Sequence, residues 1–210
     1  VRIAILGGTG SFGLALAARL VDAGDDEIVI GSRDADRAEE AARELGGGRV
    51  SGAANHNAVQ AADLVVLAVK AEAALETARM IADALGDTPL LSVAAGLSFS
   101  KDGVRPDPDA RSIAERVQEL VRGPVAAGLH SIAAANLGDA PPKEDALICA
   151  DDPGAKALAL ELAGKIVAGR ALDAGPLASA RALEGLTAVI INLNKRYKAH
   201  AGIRVSGIPE

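Results

Sequence analysis

A chain of 210 residues, half of them hydrophobic, is long enough for one well-buried core and short for several domains. Its formal net charge of −6, with acids and bases interspersed, argues against a general nucleic-acid-binding surface, which needs a basic face. The single cysteine, Cys149, excludes an internal disulfide, and no apolar run approaches the roughly 18 residues of a membrane span.

Aromatic side chains are confined to Phe12, Phe99 and Tyr197. The core must therefore be aliphatic, and a flat ligand would be held by aliphatic walls and backbone with little ring stacking. The apolar start, residues 1–6, is too short for the hydrophobic region of a secretory signal and runs straight into glycines, so no leader is expected.

Residues 2–6 are β-rich and end in Gly7-Gly8, which reads as a buried strand. Residues 11–23 carry Leu14, Leu16, Ala17, Leu20 and Val21 at helical spacing, and Gly24 ends that helix. A second strand is expected at 27–30. A charged helix at 34–45 is stopped by Gly46, Gly47 and Gly48. Next come a short strand at 50–52, a short helix at 58–62, and a fourth strand at 63–69 whose unbroken apolar run predicts burial on both faces. A helix at 72–85 and a fifth strand at 89–93 follow. Alternation of this kind requires parallel pairing through right-handed crossovers. The expected fold is α/β, a Rossmann-like, doubly wound, mainly parallel sheet.

Residues 98–109, with Pro106, Pro108 and Gly103, read as a loop, and 112–121 as a helix. Strands are expected at 124–129 and 146–150, separated by a polar loop at 136–144. A helix at 154–168 and a short extended piece at 170–173 follow. From 177 to 198, Leu177, Ala180, Leu183, Leu186, Val189, Ile190 and Leu193 recur at helical spacing. A helix so apolar is expected to pack one side on the sheet and another on a partner chain. The expected organisation is one domain, 1–175, with a small C-terminal helical extension, 176–210.

Gly8-Thr9-Gly10-Ser11-Phe12-Gly13 matches G-x-G-x-x-G. Alone the pattern is weak, because a strand-to-helix turn needs no ligand. Its context carries the argument: a strand before it, a helix after it, and a second strand about twenty residues on. Gly8 would allow the tight turn, Gly10 would let a pyrophosphate approach the backbone, and Gly13 would let the helix pack close to the strand. The helix start offers free N–H donors and a positive dipole end. Thr9 and Ser11 add hydroxyls.

Where an NAD site carries an acid for the ribose hydroxyls, this chain has Gly31, Ser32 and Arg33. Ser32 offers a hydroxyl and an N–H. Arg33 offers a planar fork for a phosphate dianion and a face for adenine, and Arg37 lies one helical turn on. The set points to NADP(H). The competing readings are a solvated arginine at 33 and surface pairs of Arg37 with Asp34, Asp36, Glu39 or Glu40. Asp34 is expected to point away as its helix begins.

The loop GGTGSFG (7–13) and the triplet GSR (31–33), taken with LHSIAAA (129–135) and DAGPLASARALEGLT (173–187), resemble the coenzyme F420-dependent NADP oxidoreductases, also called NADPH-dependent F420 reductases. The likeness runs from the first strand almost to the end. It implies a compact NADP-binding Rossmann domain and a C-terminal part that helps form a hydrophobic cleft for a deazaflavin. It also implies association as homodimers or higher homo-oligomers. The implied reaction is direct hydride transfer between nicotinamide C4 and deazaflavin C5, which needs no covalent nucleophile. It needs the two rings stacked with reacting carbons about 3–3.5 Å apart and water excluded.

By matching position, the resemblance assigns the phosphate loop to Thr9, Gly10, Ser11 and Phe12, and the 2′-phosphate site to Ser32, Arg33 and Arg37. The nicotinamide wall falls to Ala71, Leu75, Ala94, Ala95 and Ala134, the deazaflavin side to His130 and Ile132, and a closing position to Ala201. The chain departs from the family pattern after the fourth strand. Lys70-Ala71 stands where the family tends to have proline and a bulky residue. Lys70 can pair with a phosphate, pair with an acidic deazaflavin tail, or stay solvated. The tail, 195–210, also diverges.

Among the single residues, His130 could bond the deazaflavin carbonyl, stabilise developing charge, or be a core histidine satisfied by backbone. His56 and His200 read as surface residues. No set of His, Cys, Asp and Glu has metal-ligand spacing, so no catalytic metal is expected. Asp151-Asp152 before Pro153 reads as a helix N-cap pair, and Cys149 as a buried small residue. Cysteine usage fits a cytoplasmic protein. Two other functions use the same nucleotide half: an NADP-dependent reductase of another flavin or small acceptor, and a non-catalytic NADP-binding sensor.

Overall fold

The structure, a computed structural model, describes residues 1–46, 48–138 and 140–208. Gly47 of the glycine stop, Asp139 of the 136–144 loop, and residues 209–210 at the end of the extension lie outside the described residues.

The first half alternates as its sequence pattern requires: β1 (Arg2–Leu6), α1 (Ser11–Ala23), β2 (Glu27–Ser32), α2 (Ala35–Leu45), β3 (Val50–Ala54), α3 (Asn55–Ala58), β4 (Leu64–Leu67), α4 (Ala71–Leu85) and β5 (Leu90–Ser92). The second half holds β6 (Leu97–Ser100), β7 (Gly103–Pro106), α5 (Ile113–Gln118), β8 (Val125–Gly128), β9 (Ala146–Ala150), α6 (Pro153–Ile166), β10 (Ala171–Asp173) and α7 (Ala180–Tyr197). The main sheet has eight strands in the order β10-β9-β8-β5-β4-β1-β2-β3. Every neighbouring pair is parallel except β8 with β9. Strand order reverses between β1 and β4, which opens a crevice at the carboxyl ends of those strands.

Period-two alternation divides the core between the sheet's faces. Ile3, Ile5, Leu64 and Val66 pack with Leu16 and Leu20 of α1 and Leu162 and Ile166 of α6. Ala4, Leu6, Val65 and Leu67 pack with Ile81 and Leu85 of α4 and Val117 of α5. The inner strands are apolar on both sides because helices cover both.

Several element boundaries differ from the expected ones. The 98–109 loop contains an antiparallel hairpin, β6 with β7, in a second, two-stranded sheet. Its stability comes from far along the chain. Asn192 of α7 accepts from the Val104 N–H at 2.9 Å and donates to the Val104 carbonyl at 2.8 Å, serving as one more rung for β7. The helix expected at 58–62 lies earlier, at Asn55–Ala58. The helix expected at 112–121 stops at Gln118, whose side chain turns to bond Gly123 O and Val125 N. Of the proposed cap pair, Asp152 caps α6 through Ala155 N–H, whereas Asp151 accepts from Leu177 N–H and holds the 3-10 turn before α7.

The C-terminal extension is helical only to Tyr197. Lys198 takes a left-handed conformation, φ 51°, and the chain then folds back. The fully buried Asp145 fixes this return: its carboxylate receives Arg170 at 2.7 Å, the Val205 N–H at 2.8 Å and the Arg170 N–H at 2.9 Å. The Arg170 guanidinium holds the Asp145 carboxyl well below the usual carboxylate range. That stability is complete above the ordinary carboxylate pKa and is lost as acid protonates the group. Asp145→Asn should cost about 2–4 kcal/mol at neutral pH by urea unfolding, with the gap to the parent closing in acid.

Candidate functional site

The phosphate loop starts one residue earlier than its motif suggests. Gly7, not Gly8, makes the tight turn, with φ 78°, and a Cβ on it would sit 2.6 Å from Ala68 O. Gly13 has the expected role: a Cβ there would lie 2.5 Å from Gly7 O, so its absence lets α1 pack against the loop. Gly8 is closely packed, with a Cβ landing 2.8 Å from Ile5 O. Gly10 is exposed and extended, and no side chain caps the first turn of α1 behind it. The N–H groups there are left for a ligand anion. Thr9 is half-buried and Ser11 exposed beside them, while Phe12 turns half-buried onto the core under α1.

A cleft of about 490 Å³ opens at the crevice, and Thr9, Gly10, Ser32, Arg33, Arg37 and Lys70 all line it. Ser32 is buried. Its Oγ accepts the Asp34 N–H at 3.2 Å, which leaves the hydroxyl proton free to donate outward. Asp34 borders the cleft, but its carboxylate caps α2, accepting from the N–H groups of Asp36 and Arg37. Among the described residues, Arg33, Arg37 and Lys70 form no ion pair. The surface pairs that could have occupied Arg37 are not made. Three unneutralised cations and a free hydroxyl around one cleft fit a polyanionic nucleotide.

The sequence reading missed Asn55, Ala73 and Thr77, which also line this cleft, and a neighbouring hollow of about 370 Å³. The hollow is walled by Arg33, His56, Met80 and Ile81, with His56 exposed as expected. Its lining mixes apolar side chains with polar ones, Glu76, Asn55 and Thr77 among them. One signal was present: Ala73, Thr77 and Met80 share a face of α4, and Met80 is an exposed apolar residue without another reason to be there.

None of the residues assigned to the nicotinamide wall or the deazaflavin side is among those lining this cleft. Ala71 opens α4, Leu75 lies one turn on, and both pack on the core cluster that includes the buried Ala94. Ala95 is half-buried just after it. Ala134 is half-buried in a 3-10 turn beyond β8, and the returning tail crosses that turn, with Asn136 donating to His200 O at 3.4 Å. Ala201 follows His200, half-buried, with its N–H on Asn194. Ile132 is buried in the core beneath α1.

His130 is also buried, and its Nε2 lies 3.3 Å from Ala94 O. A carbonyl oxygen only accepts, so Nε2 carries the proton. Burial pulls the ring's pKa down to about 4, and the neutral ring keeps a lone pair on Nδ1, which has no partner. The expected hydrogen bond from His130 to a deazaflavin carbonyl therefore has no donor left to make it. Cys149 is fully buried, and its thiol is pushed up to about 11 by burial.

A family model described as NADP oxidoreductase coenzyme F420-dependent matches residues 2–96, from β1 to the turn after β5. The F420-dependent NADP reductase of Methanothermobacter thermautotrophicus is 39% identical, covering 100% of this chain and 97% of its own. That of Methanocaldococcus jannaschii is 33% identical over 99% of each chain. A crystal structure from Arthrobacter sp. FB24, provisionally assigned as an F420-dependent NADP reductase, superposes with a TM-score of 0.84 at 24% identity, covering 98% of this chain and 99% of its own, and supports the fold. On full-length identity to these relatives, the chain belongs to the F420-dependent NADP reductase family.

Proposed function

We propose that this protein transfers a hydride between NADP(H) and coenzyme F420. The observation that carries the nucleotide half is the set of unpaired cations, Arg33, Arg37 and Lys70, around a cleft at the strand crossover. Ser32 and Arg33 take the 2′-phosphate, Arg37 supports them, and the backbone from Thr9 to Phe12 takes the pyrophosphate. Lys70, at the start of α4 on the other side of the cleft, serves the pyrophosphate rather than the 2′-phosphate.

The hydride is supplied by the dihydronicotinamide and received by the deazaflavin, so the chain itself need only orient and dehydrate two rings. Ala71, Leu75, Ala94, Ala95 and Ala134 are small or aliphatic, as a wall for flat rings requires. His130 braces this wall by donating to Ala94 O. Its Nδ1 is buried and keeps an unused lone pair, so it can only accept. The protein works in the cytoplasm as a homodimer. Supporting the dimer, Val189, Leu193 and Tyr197 form an exposed stripe along α7, and Phe99 of the hairpin is exposed near Lys195 of the same helix.

Mixing the protein with NADPH and oxidised F420 should bleach the deazaflavin absorbance. Turnover with free flavins alone would favour a reductase of another acceptor, and tight NADPH binding without turnover would favour a sensor. Arg33→Ala should weaken NADPH by about 1.5–3 kcal/mol and NADH far less; equal losses measured by titration calorimetry would refute the 2′-phosphate assignment. Leu193→Glu should shift the light-scattering mass from dimer to monomer. A parent mass already that of one chain would refute the dimer.

A further inference from the structure

Glu184 is a carboxylate that the proposed reaction does not use, yet it is only 1% exposed. It stands on α7. Its Oε2 accepts the Gly96 N–H at 3.3 Å, and its Oε1 accepts the Ala114 N–H, also at 3.3 Å. Gly96 lies two residues beyond Ala94, whose carbonyl receives His130 at 3.3 Å. The 94–96 segment is thus gripped from two sides, by the end of β8 through His130 and by α7 through Glu184.

We propose that Glu184 is a positioning residue, whose buried carboxylate fixes the backbone of the 94–96 segment and so sets the spacing of the two rings in the hydride-transfer cleft. The inference rests on the reading of that segment as the nicotinamide wall. It assigns Glu184 no contact with either ring.

The arrangement is costly for a device of fold alone. Burying a carboxylate among apolar side chains penalises the ion, and burial raises the Glu184 pKa to about 7 against the pull of the Gly96, Ala114 and Ile113 N–H groups and of Arg181. A leucine or methionine could fill the same volume without that penalty. What only an ionised carboxylate supplies is two acceptor oxygens for two N–H groups far apart in the chain. A protonated acid keeps one carbonyl acceptor, so one N–H loses its partner.

Of the surrounding charges, Arg181 favours the charged form of Glu184, though less than burial opposes it. Arg181, one turn earlier on α7, has its guanidinium on Asp107 O. The Asp107 carboxylate, after β7, accepts from the Asp109 N–H. On α5, Glu115 completes a capping box with Ser112, and Arg116 pairs with Asp109. His130, from the β8 side, is neutral above its pKa of about 4.

The test uses Glu184→Gln in the full chain. Three results are expected together. Hydrogen exchange at the Gly96 amide rises severalfold. The NADPH dissociation constant stays within roughly twofold of the parent. The single-turnover hydride-transfer rate to F420 falls about tenfold to a hundredfold, as a sub-ångström misplacement would give. In the parent, that rate falls as pH is lowered through about 7, and in the variant this limb is absent. Unchanged exchange at Gly96, an unchanged hydride-transfer rate, or NADPH affinity lost in step with the rate would each overturn the proposal. If the variant does not fold, the parent decides. Its Gly96 exchange, corrected for the intrinsic effect of pH, must rise as pH falls through the same range. A parent that binds NADPH but reduces no F420 would sink the proposed function alone, since the exchange readout still reports whether Glu184 holds the segment.

Discussion

The site depends on how closely three strand ends approach at the crossover. The Gly31 carbonyl, near the carboxyl end of β2, receives the N–H groups of both Gly7 and Gly8, at 3.0 and 3.1 Å. Nothing wider than hydrogen fits between them. A Cβ on Gly31 would meet Leu6 Cδ2 at 2.7 Å and Asn55 Oδ1 at 3.0 Å, and one on Gly7 would meet Ala68 O at 2.6 Å. A side chain at position 31 would have to push Leu6 and Asn55 aside. The next residues, Ser32 and Arg33, line the cleft at this edge.

The same approach explains how a chain of net charge −6 presents a cationic cleft. Asp34 stands beside Arg33 and could have neutralised it. The end of β2 instead runs directly into α2, and the unsatisfied N–H groups of that helix take the Asp34 carboxylate as their cap. A local backbone demand thus removes the nearest anion from the arginines. Arg33 and Arg37 remain exposed, so keeping them unpaired costs little while no ligand is bound.

Legibility in the sequence followed locality. The glycine loop, α1, the inner strands and Ser32, Arg33 and Arg37 were readable because each is governed by neighbours within a few residues. The hairpin at β6 and β7 was not, because a loop-like composition becomes two strands only when Asn192, 88 residues from Val104, completes the ladder. The misplaced tight turn has a similar cause. The motif names Gly8, but the left-handed conformation falls on Gly7, where Ala68 from the end of β4 presses on the loop. Ala73, Thr77 and Met80 of α4 were missed because they look like any amphipathic face until the sheet order brings them to the same hollow as Arg33. The readings of His130 stayed open, since only the structure shows which nitrogen is committed to Ala94, as in the core histidine satisfied by backbone.

The buried polar groups in the carboxyl-end region share a feature that suits hydride transfer. His130 donates to a backbone carbonyl, Thr187 donates to the His130 carbonyl, and Glu184 accepts from backbone N–H groups. None of these bonds joins two charged side chains. A hydride moves with both its electrons, so the transfer itself needs no side chain to remove a proton. What the step needs is a wall that does not yield under two flat rings. Small residues such as Ala94 and Ala95 give that wall little stiffness of their own, because they interlock with few neighbours. On the proposed reading, polar side chains bonded to the backbone, His130 to Ala94 and Glu184 to Gly96, supply that stiffness instead.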